Sequence, residues 1–493
     1  MRAAIKEHPW RGGLEPCGDV EYELDASCVE GKLPAALLGG TLYRCGPGRI
    51  RVGGHRYAHW FDGDGCVSSL SFSPLGTLRV VSRLVETPRL RAQRAQGDDD
   101  AGFAVRGAWT QATQPLRNLF AIPTNPSNTS MLRWANKLLA LCEGGSPMEL
   151  DATTLQTLKP VSFSRDPTML GFGAHFKIDP QSNVLFNCGL QLPGALRIFS
   201  VAPDGTETAS ASVSFGRGEI AFVHDWAMTE NYMILFIPPW VTKPLETLQS
   251  VVGLRALAHT FSWQPDRGTR CLVLRKSDFA VVLDTEVDAF STYHFANAWE
   301  EGPLSLKVHV NRLNGDRTAL EKQFSNMYAA CFAPQHYNSL WQYTIDLQAG
   351  NVSAAPALPA SSGALPMEYP MISHRRTGLK HRYVYTTAYS GGNTFFDTLQ
   401  KCDMQLGTTQ TRRCPSGEYP SEVAFVPSDE ADAPEDAGFL IFIAYVAASH
   451  TSKVYVLDAA DFEGAPLAVC SLPVHVPYNF HGWFEKAARS AGQ

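Results

Sequence analysis

Residues 439–446 read FLIFIAYV and residues 453–458 read KVYVLD, two short runs rich in β-branched and aromatic side chains. Runs of this length and composition are typical of β-strands. The same pattern recurs along the chain at residues 77–82, 182–187, 232–237 and 382–387. Most of these runs lie between Gly, Pro, Asp or Asn residues, and the 40 Gly and 32 Pro provide many turn positions. The sequence therefore predicts an all-β fold of many short strands.

The chain has 493 residues, a length that on its own would suit about three domains. Strand signals of one kind continue through the chain without a break that looks like a linker. Apolar residues make up 44% of the chain and charged residues only 18%, so a large core is possible. We therefore expect one domain over residues 31–493, preceded by an N-terminal extension over residues 1–30.

Composition and charge exclude several classes of protein. The net charge is −6 and no basic stripe is present, so we expect no nucleic-acid partner. The longest uncharged apolar runs, residues 232–241 and 439–449, are shorter than the roughly 18 residues that a membrane-spanning helix needs. The N-terminus lacks the apolar stretch of a secretory signal, and the 11 Cys form no Cys-x-x-Cys pair. These features predict a monomer with reduced thiols in the cytoplasm or a plastid, soluble or peripherally attached to a membrane.

Four histidines stand in distinctive surroundings, at His175, His224, His294 and His481. Each one alone would more often be a hydrogen-bonded histidine of a core or loop than a metal ligand. They are 49, 70 and 187 residues apart, so they cannot form one local site. They could meet only if the fold brought one strand from each of several units to a common axis.

The sequence around these histidines resembles the iron-ligand segments of the carotenoid cleavage oxygenases, and within that family the apocarotenoid-cleaving members. The resemblance covers nearly the whole chain. It includes GTLYRCGPG at residues 40–48 and WFDGDG at residues 60–65. Three further segments resemble those that hold the family's outer glutamates, with Glu143 in LLALCEGG, Glu368 in PMEYP and Glu422 in SEVAFVP.

The resemblance implies a seven-bladed β-propeller in which loops and short helices form a cap over the iron-containing face. The four histidines together with Glu368 and Glu422 are on average about 61 residues apart, a step that a propeller blade with long loops could use. Because these markers were chosen on the resemblance, their spacing agrees with the fold but does not establish it.

The resemblance also implies a non-haem Fe²⁺ centre on His175, His224, His294 and His481. Four imidazoles leave two adjacent positions of an octahedral ion open for O₂. Glu143, Glu368 and Glu422 would accept the outer N–H of three ligands, which leaves His175 without a carboxylate. The implied reaction is cleavage of a C=C bond of a carotenoid or apocarotenoid by O₂, giving aldehyde or ketone products.

Six further residues are implied as substrate contacts beside the ligands: Phe61, Thr129, Cys142, Phe222, Tyr293 and Tyr369. Aromatic residues at such positions more often pack in the hydrophobic core without contacting a substrate. Two positions depart from the family pattern, because Cys45 replaces an Asn and Cys142 replaces a bulky aromatic residue before Glu143. Relatives that cleave stilbenes and phenylpropenes carry a Lys at the position of Cys142, where it can bind a phenolic oxygen. A neutral thiol cannot do so, which favours a long apolar polyene.

Residues 236–263 combine apolar and Trp residues with basic ones, a composition typical of a peripheral membrane contact. Within this segment the apolar spacing predicts a helix over residues 244–257. The alternative is that its apolar stripe packs on the core. Three other functions stay open: a stilbene- or phenylpropene-cleaving oxygenase, a retinoid isomerohydrolase of the same family, and a carotenoid-binding propeller without activity. The intact set of four His and three Glu argues against the last.

Overall fold

The computed structural model describes residues 8–97, 102–113, 125–164, 166–216, 219–313, 338–391, 394–430 and 432–487. Strands dominate these residues, as the sequence predicts, and the α-helices among them are Pro88–Gln96 and Pro244–Val251. None of the helices in these ranges is long and apolar enough to cross a bilayer. Short 3₁₀ turns lie at Pro9–Leu14, Ala26–Cys28, Ala35–Leu37, Trp60–Asp62, Leu257–Thr260, Pro265–Arg267, Ala360–Ser362 and His374–Arg376.

Within the described ranges, seven antiparallel sheets have four or more strands. The first sheet contains β1 (Val20–Leu24), β3 (Thr41–Arg49), β6 (Asp64–Phe72), β7 (Leu78–Leu84) and the C-terminal β36 (Gly482–Glu485). The second contains β8 (Ser130–Trp134), β9 (Lys137–Leu141), β10 (Met148–Leu150) and β11 (Thr157–Pro160). The third contains β12 (Lys177–Ile178), β13 (Leu185–Gln191), β14 (Ala195–Val201) and β15 (Glu207–Ser214).

The next sheets follow the same sequential order. The fourth contains β17 (Ala227–Met228), β18 (Tyr232–Ile237), β21 (Thr269–Arg275) and β22 (Val281–Val287). The fifth contains β23 (Ser291–Glu300), β24 (Ser305–Leu313), β25 (Asn338–Asp346) and β26 (Asn351–Pro356). The sixth contains β27 (Met367–Met371), β28 (Tyr383–Ala388), β29 (Thr398–Asp403) and β30 (Thr408–Arg413).

The seventh sheet combines both ends of the chain. It contains β31 (Glu418–Pro420), β32 (Ala424–Pro427), β33 (Gly438–Val446), β34 (Thr451–Asp458), β35 (Ala468–Ser471) and the N-terminal β2 (Val29–Gly31). Two small sheets lie outside this series. They are formed by β4 (Arg51–Val52) with β5 (His55–Arg56), and by β16 (Ile220–Ala221), β19 (Trp240–Thr242) and β20 (Ser262–Trp263).

Apolar side chains fill the space between consecutive sheets. Leu138 and Val67 belong to a cluster between the first and second sheets, and similar clusters join each later sheet to the next. A further cluster joins the seventh sheet to the first, through residues such as Ile443 and Leu42. Burying such side chains contributes about 1.5–3 kcal/mol each, so the interfaces between the sheets form most of the core.

The strands that begin most of these sheets are buried, whereas the last strands are exposed. Strand β8 is buried along nearly its whole length, whereas β26 is mostly exposed. The first strands also contact one another, with β8 against β36, β17 against β23, and β23 against β27. Residues at the start of these strands are therefore brought close together in the middle of the molecule.

Two sequence-based expectations concern the chain ends and the helix. The described part of residues 1–30 packs on the fold, since β1 pairs with β7 and Trp10 is buried against Phe395; the boundary at residue 31 stays a prediction. The predicted helix over residues 244–257 is shorter than expected. It ends at Val251 because Gly253 adopts φ +79° and its N–H bonds to the Ser250 carbonyl, a helix-ending arrangement that glycine favours.

Candidate metal centre

The four histidines predicted as ligands converge, although up to 187 residues separate neighbours in the sequence. His175, His224 and His481 lie just before β12, β17 and β36, and His294 lies within β23. The ligand nitrogens all lie within 4.8 Å of one another. Nε2 of His175 is 3.0 Å from Nε2 of His224, and Nε2 of His294 is 3.1 Å from Nε2 of His481. They converge because each lies in or just before an edge strand of its sheet, and several edge strands of different sheets contact one another.

Three carboxylates, those of Glu143, Glu368 and Glu422, face the other side of these rings. Oε1 of Glu143 lies 2.5 Å from Nδ1 of His224. His294 has Glu368 Oε2 at 2.7 Å from its Nδ1. For His481 the corresponding atom is Glu422 Oε1, also at 2.7 Å. Because an ionised carboxylate only accepts, each Nδ1 must carry the proton, and each Nε2 then presents a lone pair.

The imidazole cluster fits a divalent cation. With His294 and His481 both protonated at Nδ1, their Nε2 lone pairs point at one another across 3.1 Å, which is unfavourable unless a cation lies between them. Two imidazole nitrogens at right angles and about 2.1 Å from one ion would be about 3 Å apart. The observed N···N separations of 3.0 and 3.1 Å agree with this value.

The buried formal charge around the four histidines also matches a divalent cation. Arg44 is 1% exposed, and its guanidinium bonds to Glu422 Oε2 at 2.9 Å. The three glutamates and Arg44 together carry a formal charge of −2, which one divalent cation balances. Burial disfavours the charged form of Glu422, but His481 and Arg44 outweigh it and lower the pKa of that carboxyl. A carboxylate kept ionised next to a neutral imidazole is suited to hold a metal ligand.

His175 differs from the other three ligands. The nearest carboxylate oxygen, Asp225 Oδ1, is 3.9 Å from its Nδ1, too far for a hydrogen bond. Burial, followed by repulsion from the neighbouring imidazoles, holds the pKa of His175 well below its ordinary value. This ring is therefore neutral and available as a ligand, but no carboxylate within the described ranges orients it.

The aromatic residues predicted as substrate contacts surround one side of the cluster. The Tyr293 ring lies edge-on to His224 with centroids 5.2 Å apart, and Phe222 stacks on the same imidazole at 6.1 Å. Tyr369 lies 5.4 Å from both His294 and His481. The Phe61 ring meets Tyr293 at 6.2 Å. The structure thus brings all four predicted aromatic residues to the metal centre.

Thr129 and Cys142 lie together at the start of the second sheet. The Thr129 carbonyl accepts a hydrogen bond from the His481 N–H at 3.2 Å, which ties this residue to a ligand segment. Cys142 immediately precedes Glu143, and burial raises the pKa of its thiol to about 12. Cys142 is therefore a neutral side chain beside a glutamate that holds His224.

A cavity of about 210 Å³ opens beside the histidines and is lined by the first strands. His175, His294 and His481 contribute to its wall, together with residues that follow them in the chain, such as Lys177 and Asn297. Tyr369 is the one predicted substrate contact in this wall. The other five predicted contacts are not among the lining residues.

Several residues at the site escaped the sequence analysis. Arg44 lies in the GTLYRCGPG segment, and its charge within an apolar stretch was the available signal. Asn338 donates from its Nδ2 to Glu368 Oε1. Trp109 packs against Phe61 with centroids 5.6 Å apart, and its backbone N–H bonds to Asp62 Oδ2 at 2.9 Å. No local pattern marks Asn338 or Trp109, because long-range folding brings them to the site.

Comparisons with known proteins agree with this geometry. The family model described as retinal pigment epithelial membrane protein matches residues 15–486. The chain is 30% identical to apocarotenoid-15,15'-oxygenase of Synechocystis over 483 residues, which cover 94% of this chain and 93% of that protein. It is 27% identical to isoeugenol monooxygenase of Pseudomonas putida over 471 residues, covering 93% and 94%. The structure matches that of cobalt-substituted Synechocystis apocarotenoid oxygenase with a TM-score of 0.84 and 27% identity, covering 97% and 98%.

Proposed function

Since the chain belongs to the carotenoid cleavage oxygenase family, we propose that it cleaves one C=C bond of a carotenoid or apocarotenoid with O₂. The two oxygen atoms end in two carbonyl products, so that atoms balance without a further reductant. The observation that carries this proposal is the cluster of four imidazoles whose Nε2 atoms face one another while three Nδ1 atoms meet carboxylates.

We propose that the metal held by His175, His224, His294 and His481 is Fe²⁺. Neutral imidazoles and a buried formal charge of −2 suit a divalent ion. When bound, ferrous iron supplies the electronic means for O₂ to react with an alkene. The protein's own residues orient the imidazoles: Glu143, Glu368 and Glu422 face the Nδ1–H groups of three rings as acceptors, which keeps each proton on Nδ1 and holds each ring in one orientation.

The aromatic residues are proposed to align the substrate. An extended polyene offers flat apolar faces. The rings of Phe222, Tyr293 and Tyr369 lie against the imidazoles, and Phe61 packs on Tyr293. Fixing one double bond beside the metal can lower the barrier by several kcal/mol without any acid or base. We place Thr129 near the open metal positions and Cys142 beside the substrate, where a small side chain before Glu143 would leave room for a bulky polyene.

The seven sheets are proposed to be the blades of one β-propeller, capped by loops and short helices on the metal face. The apolar clusters between consecutive sheets, and the one between the seventh and first sheets, support this arrangement. Both chain ends contribute strands to these two sheets, as expected if the circle is held closed by main-chain pairing.

We also propose that residues 236–263 contact a membrane, from which an apolar polyene must be taken. Three leucines of this segment are exposed to solvent: Leu245 at 69%, Leu248 at 52% and Leu254 at 74%. Their exposure is the opposite of what packing on the core would give. Exposed Lys243 and Arg255 flank them, and basic residues beside an apolar stripe favour an anionic lipid surface. A monomer in the cytoplasm or a plastid stays a prediction.

Product analysis tests the proposed function. Protein loaded with Fe²⁺ would be given O₂ and, separately, apocarotenals of different lengths, an intact carotenoid and isoeugenol, with zinc-loaded protein as the control. We expect mass spectrometry to find shorter aldehydes or ketones from at least one polyene. Cleavage of isoeugenol and of none of the polyenes would support the alternative function, a phenylpropene-cleaving oxygenase. Tight binding of polyenes without any product from the iron-loaded protein would overturn the proposal.

A further inference from the structure

Asp225 connects segments that carry three of the four histidines. Its Oδ1 accepts from Lys177 Nζ at 2.8 Å and from the Trp226 N–H at 2.7 Å. The other oxygen, Oδ2, accepts from the Phe295 N–H at 2.9 Å. Lys177 is two residues after His175, Asp225 follows His224, and Phe295 follows His294. One carboxylate therefore links the segments of three ligands, through two backbone N–H groups and the Lys177 side chain.

We infer that Asp225 is a positioning residue, which sets the mutual arrangement of His175, His224 and His294 for the metal. This inference rests on the proposed metal site but not on the identity of the substrate. Asp225 Oδ1 lies 3.9 Å from Nδ1 of His175, which is beyond hydrogen-bonding distance, so this carboxylate does not hold the ring directly. It acts through the backbone and Lys177, unlike Glu143, Glu368 and Glu422, which contact the rings themselves.

His175 has the greatest need of such support, because no carboxylate in the part of the chain that the structure describes lies within hydrogen-bonding distance of its ring. Its segment is fixed through main-chain carbonyls instead. The Trp226 indole N–H donates to the His175 carbonyl at 2.8 Å, and the Ser130 hydroxyl donates to the Ala174 carbonyl at 2.6 Å. The backbone N–H of Trp226 donates to Asp225. This carboxylate therefore also positions the tryptophan whose indole bonds to the His175 carbonyl.

Asp225 has a basic partner, as Glu422 has in Arg44, and this distinguishes it from Glu143 and Glu368. Lys177 neutralises it at 2.8 Å, so the pair leaves the formal charge at the metal unchanged. A buried carboxylate is costly unless its oxygens are fully bonded, and the Asp225 side chain is only 2% exposed. Both oxygens are occupied by donors that adjoin ligands, which is the arrangement expected of a group that holds the site in shape.

Metal binding by variants of the full chain tests the inference. Asp225→Asn keeps the size but replaces one acceptor oxygen with an NH2 donor, so one of the two backbone N–H groups of Trp226 and Phe295 loses its acceptor and the negative charge that pairs with Lys177 is lost. We expect Co²⁺ affinity to fall 10–100-fold, the usual effect of losing a group that orients metal ligands, and the Co²⁺ visible absorption spectrum to change. The matched control is Asp436→Asn, which breaks the Lys401–Asp436 ion pair of 2.7 Å in the region of the sixth and seventh sheets. It should lower the melting temperature without changing Co²⁺ affinity or the spectrum.

Wild-type Co²⁺ affinity and spectrum in folded Asp225→Asn protein would overturn the inference. If that variant fails to fold, Asp225→Glu keeps the charge but moves both oxygens by about one methylene. We then expect an altered Co²⁺ spectrum and at least about fivefold faster release to a chelator. Wild-type values for both would also overturn the inference, as would a wild-type protein that binds no Co²⁺. If wild-type protein binds metal but cleaves no polyene, the proposed function is wrong. The Co²⁺ measurements on the Asp225 variants then still test whether Asp225 positions the ligands.

Discussion

Arg44 donates two hydrogen bonds to Glu422, from Nη1 to the carboxylate Oε2 at 2.9 Å and from Nη2 to the backbone carbonyl at 2.8 Å. The other carboxylate oxygen of Glu422 faces His481. A motif near the N-terminus of the chain thus fixes a ligand near its C-terminus. The same guanidinium balances one of the three buried carboxylates, so it contributes both geometry and charge to the proposed centre.

Replacing Arg44 should strongly destabilise the metal-free protein. Arg44→Met leaves the buried Glu422 carboxylate without its cation, and breaking such a pair costs about 3–5 kcal/mol. Denaturant unfolding followed by Trp fluorescence measures the loss. The control is Arg79→Met, which removes the solvent-exposed Arg79–Glu21 pair and should destabilise the protein far less, because water screens such pairs. Equal losses in the two variants would contradict the assigned role of Arg44.

Glu368→Gln should weaken metal binding without preventing folding. The amide can accept from His294 Nδ1 only weakly and carries no charge, so we expect metal affinity to fall about 10–100-fold. Competition with a fluorescent chelator measures this change. Glu230→Gln, an exposed residue bonded to Gln181, serves as the control and should retain wild-type affinity. Unchanged affinity in Glu368→Gln would show that this carboxylate does not orient the ligand.

Cys142→Trp should narrow the space beside Glu143. We expect kcat/KM to fall at least about tenfold for the bulkiest polyenes and less for short ones, because a filled pocket discriminates by size. The control is Cys271→Ala, which changes a buried thiol in the fourth sheet. Any change in kcat/KM that it causes should be the same for all substrates. If the Trp variant lowers kcat/KM by the same factor for all substrates, Cys142 does not determine which substrate sizes are accepted.

Leu248→Glu combined with Val252→Glu should reduce binding to anionic liposomes while cleavage of detergent-solubilised substrate stays close to wild type. The reason is that charge is costly in an interface that favours apolar side chains. Leu75→Glu with Leu406→Glu provides a control, since these residues are 89% and 66% exposed elsewhere on the molecule. Sedimentation with liposomes measures binding. Equal binding by wild type and the Leu248 variant would remove residues 236–263 as the membrane contact.

The sequence pointed to the histidines and glutamates of the centre, but not to the charged residues that hold them in place. His175 and Glu143 stood in recognisable segments, so their types and positions could be read directly. Arg44 and Asp225 could not, because one basic residue among 42 and one acidic residue among 48 become special only when folding buries them. The helix after Pro244 was predicted too long, since apolar spacing continues to Leu257 while Gly253 reverses the backbone.

Oxygen-isotope labelling tests the central claim most directly. Iron-loaded protein would cleave an apocarotenal under ¹⁸O₂, and the products would be trapped by rapid reduction to alcohols so that carbonyl oxygen cannot exchange with water. We predict ¹⁸O in the new oxygen of both fragments, and no products from His224→Ala protein, which should also lose its metal. Products without ¹⁸O, or equal turnover by the His224→Ala variant, would contradict an oxygenase built on the four-histidine centre.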